Sequence, residues 1–452
     1  MKSTLKKISR EANTLSLAGN LSFAVFGFAG FAILARTFPL DVFGEWVLYI
    51  SSATFIEMFR FGITNWAIIR YLSGVAQEDR VKYIGSNALI IFLATIVIAM
   101  IIWSVHFAFP GPIKAAGYEL FFTWYPFLAF INIPFNSALV IMQADQRFGK
   151  ILFIKTLNSG GFFVILLINY LFFKMTLTQL VWAQLGINIV TSAICIAAGW
   201  DGLKHIRKAT RETNKVLLDF GKYTIFTLIG TNLLRSADTL IISLSPLGTA
   251  AVALYSIPMK LTELQQIPLR SFVATAFPKM SKASVQGKVE EVKEFFYIYS
   301  GAMTYLLLAI SVVTFVFAEF FVLILGGKQY LGIDPLTGVN TANIVRIFSV
   351  YGILLPIDRM TGAGLDSINK PDRNFQKVMY MAITNVIGDL IAVFIFKSLA
   401  MVAFASILFT VLGIWVGYYF LDRQLELNFK KIFSAGIEFY ASLYRKFRNH
   451  AM

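Results

Sequence analysis

Cysteine is almost missing from this chain of 452 residues: Cys195 stands alone. That excludes an internal disulfide and any metal site built from several cysteines. Set in an apolar run, Cys195 is expected to be a small buried hydrophobe. Histidine is nearly as scarce. His106, His205 and His450 are scattered, and no phosphate-binding loop, nucleophile elbow or metal-ligand spacing occurs. Charge is also in short supply, at 14% of residues, where soluble domains carry about 25%. These absences argue against soluble enzyme chemistry and against a nucleotide-driven motor.

Apolar residues fill the space: 57% of the chain is hydrophobic and the mean hydropathy is +0.69. A run of about 20 apolar residues crosses a hydrocarbon core about 30 Å thick. Twelve such runs occur, at 14–35, 42–66, 83–108, 119–142, 151–173, 178–200, 221–244, 250–276, 295–318, 341–364, 375–396 and 398–420. The composition and these runs predict an all-α integral membrane protein of about twelve transmembrane helices.

The net charge of +15 is explained by its placement. Of the 40 Lys and Arg residues, 29 fall in segments on the side of the N-terminus and five on the other side: Arg36, Lys114, Lys174, Lys328 and Lys397. Cytoplasmic loops carry such an excess, so both termini are expected in the cytoplasm. The basic surface then suits anionic membrane lipids, and nucleic acid is not an expected partner. The basic N-terminus runs into apolar sequence as far as Ala35 without a small-residue cleavage site, so it reads as a tail rather than a signal peptide.

The polar run at 201–222 divides the chain into two six-helix halves. The expected organisation is a tail at 1–13, a bundle at 14–200, a basic linker at 201–220, a bundle at 221–420 and a basic amphipathic tail at 421–452. Pro39-Leu40 after the first span echoes Pro246-Leu247 after the seventh. Both halves start on the same side, as in a parallel repeat around a central cavity. The last segment alternates Lys and Arg with Phe, Tyr, Leu and Ile, which suits a helix lying on the anionic leaflet or a docking site for a partner enzyme.

Charges inside spans cost roughly 2.5–3.5 kcal/mol each on insertion scales and need a reason. Three opposite-charge pairs, Glu57/Arg60, Arg235/Asp238 and Lys260/Glu263, are spaced by three residues and share a helical face. Pro258 and Pro268 bracket the third pair in a helix expected to bend. The sequence places no carboxylate three or four positions from Arg270 or Arg346, and a guanidinium's fork of donors fits an external phosphate. The plainer reading is neutralisation on a neighbouring helix or snorkelling. Asp358 and Arg359 are adjacent. Asp389 is a proton or sodium site, or simply hydrogen-bonded to Asn385 one turn earlier. Among the abundant aromatics, Trp66, Tyr125, Tyr255 and Tyr351 are candidates to stack on sugar rings, against a background of lipid-facing bulk. Paired charges within bent spans describe the wall of a transport path.

The segment 34–74 carries Ala35-Arg36, Phe43-Gly44, Phe61-Gly62-Ile63 and Ile69-Arg70-Tyr71-Leu72, and 233–261 reads LLRSADTLIISLSPLGTAAVALYSIPMKL. With QADQRFGKI at 143–151, these resemble bacterial polysaccharide flippases, the Wzx-type branch of the multidrug/oligosaccharidyl-lipid/polysaccharide exporter (MOP) superfamily. The resemblance implies a protein of the bacterial inner membrane serving O-antigen, lipopolysaccharide or exopolysaccharide biosynthesis. It would carry an undecaprenyl-diphosphate-linked oligosaccharide to the periplasmic leaflet by alternating access, beside a polymerase and other assembly proteins. Arg60, Arg235, Lys260, Arg270 and Arg346 are then the diphosphate-binding candidates. Glu57, Asp238, Glu263, Asp358 and Asp389 are counter-charges or ion-coupling groups. No metal or organic cofactor is expected; coupling would use H+ or Na+. The competing readings are a drug/cation antiporter of the same superfamily and a membrane polysaccharide polymerase or glycosyltransferase. The latter would need a larger outer loop than 326–340.

Overall fold

A computed structural model describes residues 22, 24–72, 77–334 and 338–450, apart from the side chains of 66, 77, 222–233, 235 and 446–450. Its regular elements are helical, joined by one isolated β-bridge, Ile333 to Asn340. Inside a bilayer only a helix satisfies every backbone group within one segment, and that is why long apolar runs give this outcome. The chain forms two compact units, Met1–Ile229 and Gly230–Met452.

The first unit holds α1 (Ala24–Thr37), α2 (Leu40–Gly62), α3 (Asn65–Leu72), α4 (Gln77–Ala108), α5 (Pro110–Ala115), α6 (Glu119–Ile131), α7 (Ile133–Ala144), α8 (Phe148–Phe172) and α9 (Leu177–Ala197). The expected fourth span is broken: α6 and α7 meet at Asn132 with a bend of 49°. Pro134 has no N–H to return to the Phe130 carbonyl, and the bend takes neighbouring carbonyls away from their helical donors. Two are recovered by side chains of other helices. Arg60 Nη1 donates to the Ala129 carbonyl at 2.6 Å, and Ser192 Oγ donates to the Ile131 carbonyl at 2.6 Å. α9 begins in a capping box, Thr176 with Gln179.

The polar linker is folded. Residues Leu203–Lys208 form a 3₁₀ turn against α4, where a side chain on Gly85 would come within 2.2 Å of the His205 carbonyl. Ser86 and Thr213 meet across the same contact at 2.6 Å. α10 (Arg211–Ser243) then starts well before the apolar run predicted at 221, because its first turns pack beside α3 and α4 rather than against lipid.

The second unit holds α11 (Gly248–Val285), α12 (Val289–Val316), α13 (Ala318–Gly326), α14 (Thr341–Ser367), α15 (Pro371–Leu390), α16 (Leu399–Leu425) and α17 (Phe429–His450). α14 is the centre of this unit, touching α11, α12 and α16. α11 carries Pro258, Pro268 and Pro278 in one 38-residue helix. α15 continues into one π-helical turn, Ile391–Ile395. The shared core joins Ala276 and Met280 of α11, Phe296 of α12, Met360 and Leu365 of α14, Leu421 of α16 and Ile432 of α17.

Among the described helices, seven are long and apolar enough to cross a membrane, and the α6–α7 pair makes an eighth. The protein is a multi-pass membrane protein. The expected amphipathic tail is the helix α17, and it is docked. Its Ile432 and Gly436 lie against Gly301 of α12, and Tyr440 donates to the Ala302 carbonyl at 2.9 Å. Phe433, Ile437 and Tyr444 remain exposed.

Candidate functional site

A cavity of about 550 Å³ lies within the second unit, walled by the C-terminal end of α10 and by α11, α14, α15 and α16. Three cationic side chains line it: Arg270 of α11, Arg359 of α14 and Lys377 of α15. Four carboxylates do too: Asp238, Glu263, Asp358 and Asp366. Each carboxylate has a protein partner. Lys260 Nζ meets Glu263 at 2.8 Å, Lys377 Nζ meets Asp358 Oδ1 at 2.7 Å, and Asn374 donates to Asp366 at 2.9 Å. Arg270 and Arg359 are both solvent-exposed, and among the described residues Arg359 makes no ion pair.

Asp238 sits at one end of the cavity in a buried network of neutral donors among the described residues. It accepts from Tyr255 Oη at 2.8 Å, Asn385 Nδ2 at 3.2 Å and Ser406 Oγ at 3.5 Å. Asn385 Nδ2 also reaches Asp389 Oδ2 at 3.1 Å, so one amide bridges two carboxylates. Both carboxylates are buried. Asn385 Oδ1 and Asp389 Oδ1 are buried as well and receive no hydrogen bond among the described residues. Two enclosed carboxylates with spare lone pairs present acceptor oxygens that a small cation or an added hydrogen-bond donor would satisfy.

The sequence candidates divide by location. Asp238, Glu263, Arg270, Tyr351 and Asp358 line the cavity. Lys260 is not a lining residue but holds Glu263. Asp389 is enclosed behind Asp238, and the bond to Asn385 expected from the spacing is formed. Tyr255 is 1% exposed, its ring edge-to-face with Phe348 and its hydroxyl spent on Asp238, so it has no face for a sugar.

Arg346 is placed differently from the expectation of an anion site. It lies at the start of α14, pairing with Glu319 of α13 at 3.2 Å and Asn343 at 2.6 Å. Its carboxylate is 27 residues away and could not be found by helical spacing. Glu57, Arg60 and Tyr125 form a separate cluster in the first unit. Arg60 is 0% exposed and gives two bonds to Glu57, at 2.6 and 2.7 Å, and one to Thr95 at 2.9 Å. Tyr125, also 0% exposed, donates to Glu57 at 2.8 Å and stacks on Phe121. With its bonds turned inward, Arg60 holds the fold rather than presenting a fork to a ligand. The side chains of Arg235 and Trp66 lie outside the described residues. Lys377 and Arg359 were not among the anion candidates. In the sequence Arg359 adjoins an acidic residue, Asp358, and Lys377 follows Lys370 and Arg373 in a basic segment, so neither stands out as an anion site.

This arrangement of helices is that of the MOP transporters. A multidrug resistance MATE family transporter of the MOP superfamily, inward-facing, matches with a TM-score of 0.73 at 16% identity, over 89% of this chain and 94% of that one. The lipid II flippase MurJ, in an inward closed conformation, matches with a TM-score of 0.71 at 13% identity, over 96% and 92%. A MOP superfamily transporter from Pyrococcus furiosus, described as having a binding pocket of reverse polarity, gives 0.61 at 18% identity, over 93% and 95%. No curated protein matches by sequence. The family described as "Polysaccharide biosynthesis protein" matches residues 12–284, more than half of the chain, and the chain belongs to that family.

Proposed function

We propose that this protein is a flippase that carries a diphosphate-linked oligosaccharide lipid from the cytoplasmic to the outer leaflet of a bacterial inner membrane. Membership of a polysaccharide biosynthesis family supplies the chemical context. The observation that carries the reading is the state of the cavity's charges: each lining carboxylate is engaged by the protein, while Arg359, exposed in the same lining as Arg270, makes no ion pair among the described residues. A guanidinium pair of this kind recognises phosphate oxygens. Tyr351, edge-to-face with Phe348 at 5.7 Å, offers a cavity-lining ring to sugar. Asp238 and Asp389 are the coupling pair in this reading, exchanging H+ or Na+ as the carrier cycles.

The test is leaflet-resolved accounting of lipid-linked oligosaccharide in cells lacking the protein. Wild type should restore outward movement. Arg359→Gln, at equal protein levels, should leave the rate about tenfold or more lower, since a charge-assisted hydrogen bond contributes about 1.5–3 kcal/mol. Asp389→Asn should uncouple transport from the ion gradient. Outward movement that is equal without the protein sinks the proposal. A drug/cation antiporter is the second reading, favoured by four carboxylates against three cations in the lining; loss of drug efflux in the same knockout would support it instead.

A further inference from the structure

Lys377 is a buried ammonium, 3% exposed, in the wall of the cavity, and its three hydrogen-bonding or ion-pair contacts among the described residues come from one turn of α14. Its Nζ lies 2.7 Å from Asp358 Oδ1, 2.5 Å from the Asp358 carbonyl and 3.1 Å from Thr361 Oγ1. The stem is clamped from α16. A side chain on Gly417 would come within 2.7 Å of Thr361 Oγ1 and 3.0 Å of Lys377 Cδ. Gly362, also in the lining, makes room for Asn374 in the same way, at 2.9 Å. The site is therefore built around the ammonium, with Asp358 as its charged partner among the described residues and Arg359, next in the chain, exposed.

We propose that Asp358 is the resident counter-anion of a phosphate subsite centred on Lys377, and that the substrate's diphosphate displaces it during binding. This rests on the flippase reading above. A carrier must release what it binds. An ammonium held in an apolar wall without a partner would bind a diphosphate tightly and hold it, because an unpartnered buried charge is costly. Exchange of one anion for another keeps the ammonium paired before, during and after transport. The Asp358 backbone carbonyl and Thr361 Oγ1 stay in place throughout, so only the carboxylate has to turn away. Arg270 and Arg359 supply the second phosphate's contacts from outside the buried site. The apparent affinity is then lowered by the small fraction of time that Asp358 is displaced.

The experiment is calorimetric titration of the detergent-solubilised full chain with farnesyl diphosphate, with inorganic phosphate as a control. Wild type is expected to bind weakly. Asp358→Asn is expected to bind at least about tenfold more tightly, because the competing charge is gone and the competent fraction rises toward one. In cells the same variant should transport more slowly, limited by release. Lys377→Gln should lose the gain when combined with Asp358→Asn. Equal or weaker binding by Asp358→Asn, with wild type still binding, overturns the exchange and leaves the flippase reading standing. No binding of farnesyl diphosphate by either protein overturns both. If Asp358→Asn does not fold, Asp358→Ser removes the same charge with a smaller side chain and is judged by the same titration.

Discussion

The guanidinium of Arg60 ties α2 to α4 and α6 through Glu57, Thr95 and the Ala129 carbonyl. Removing one partner of a buried ion pair costs more than the pair itself contributes, because the other charge is left in an apolar setting. Arg60→Met should therefore destabilise the first unit by about 3 kcal/mol. Glu57→Gln with Arg60→Met should recover part of that loss, which a double-mutant cycle on chemical unfolding in detergent would measure. Strict additivity would show that the two side chains do not act together. The Glu57/Arg60 pair was legible from its three-residue spacing, and so was the Asn385–Asp389 bond. Lys377 with Asp358 and Arg346 with Glu319 were not, since each joins two helices and no periodicity within one segment reports on a neighbour. Lys377 was hidden further by its position in a cluster that looks like ordinary loop charge.

Elements were more readable than contacts. Runs of about 20 apolar residues locate spans because the bilayer enforces their length. What it does not enforce is how far a helix continues past the boundary. α11 runs nine residues beyond the predicted 276, and α10 starts ten before the predicted 221. The α6–α7 break was foreshadowed only by Pro126 and Pro134, without saying which of them interrupts the helix. α17 shows the same limit: its amphipathic period was visible, its seat on α12 was not. That seat depends on Gly301, where an added Cβ would lie 2.1 Å from the Ile432 carbonyl. Gly301→Ala should lift α17 and speed tryptic cleavage at Lys430 and Lys431 several-fold over wild type. Gly186→Ala, in α9, meets nothing within 4 Å and serves as the control. Unchanged cleavage in Gly301→Ala would mean that α17 does not depend on this crossing.

At the scale of the whole molecule, the compact units part within α10, at Ile229/Gly230, whereas the polar run at 201–222 lies earlier in the chain. Part of that run, Leu203–Lys208, is folded onto α4, a contact between segments that its polarity alone does not report. The distribution of Lys and Arg makes a further prediction. Cys195 is buried and alone, so Cys195→Ala gives a cysteine-free background at a small cost. In that background Lys114→Cys should react with a membrane-impermeant maleimide in intact cells. Lys208→Cys and Lys431→Cys should react only after the membrane is opened. Labelling of Lys431→Cys in intact cells would invert the orientation.

The seat of α17 also bears on how the protein is made. The groove at Gly301 waits for a helix encoded more than 125 residues later, so α12 leaves the ribosome well before its partner does. Until then the second unit has an open seam on α12, with Tyr297 still lacking the Asn428 amide that it accepts at 2.8 Å. A nonsense or frameshift lesion within codons 433–450 would spare the described spanning helices and every residue lining the cavity. It would still produce a protein that cellular quality control can recognise as unfinished.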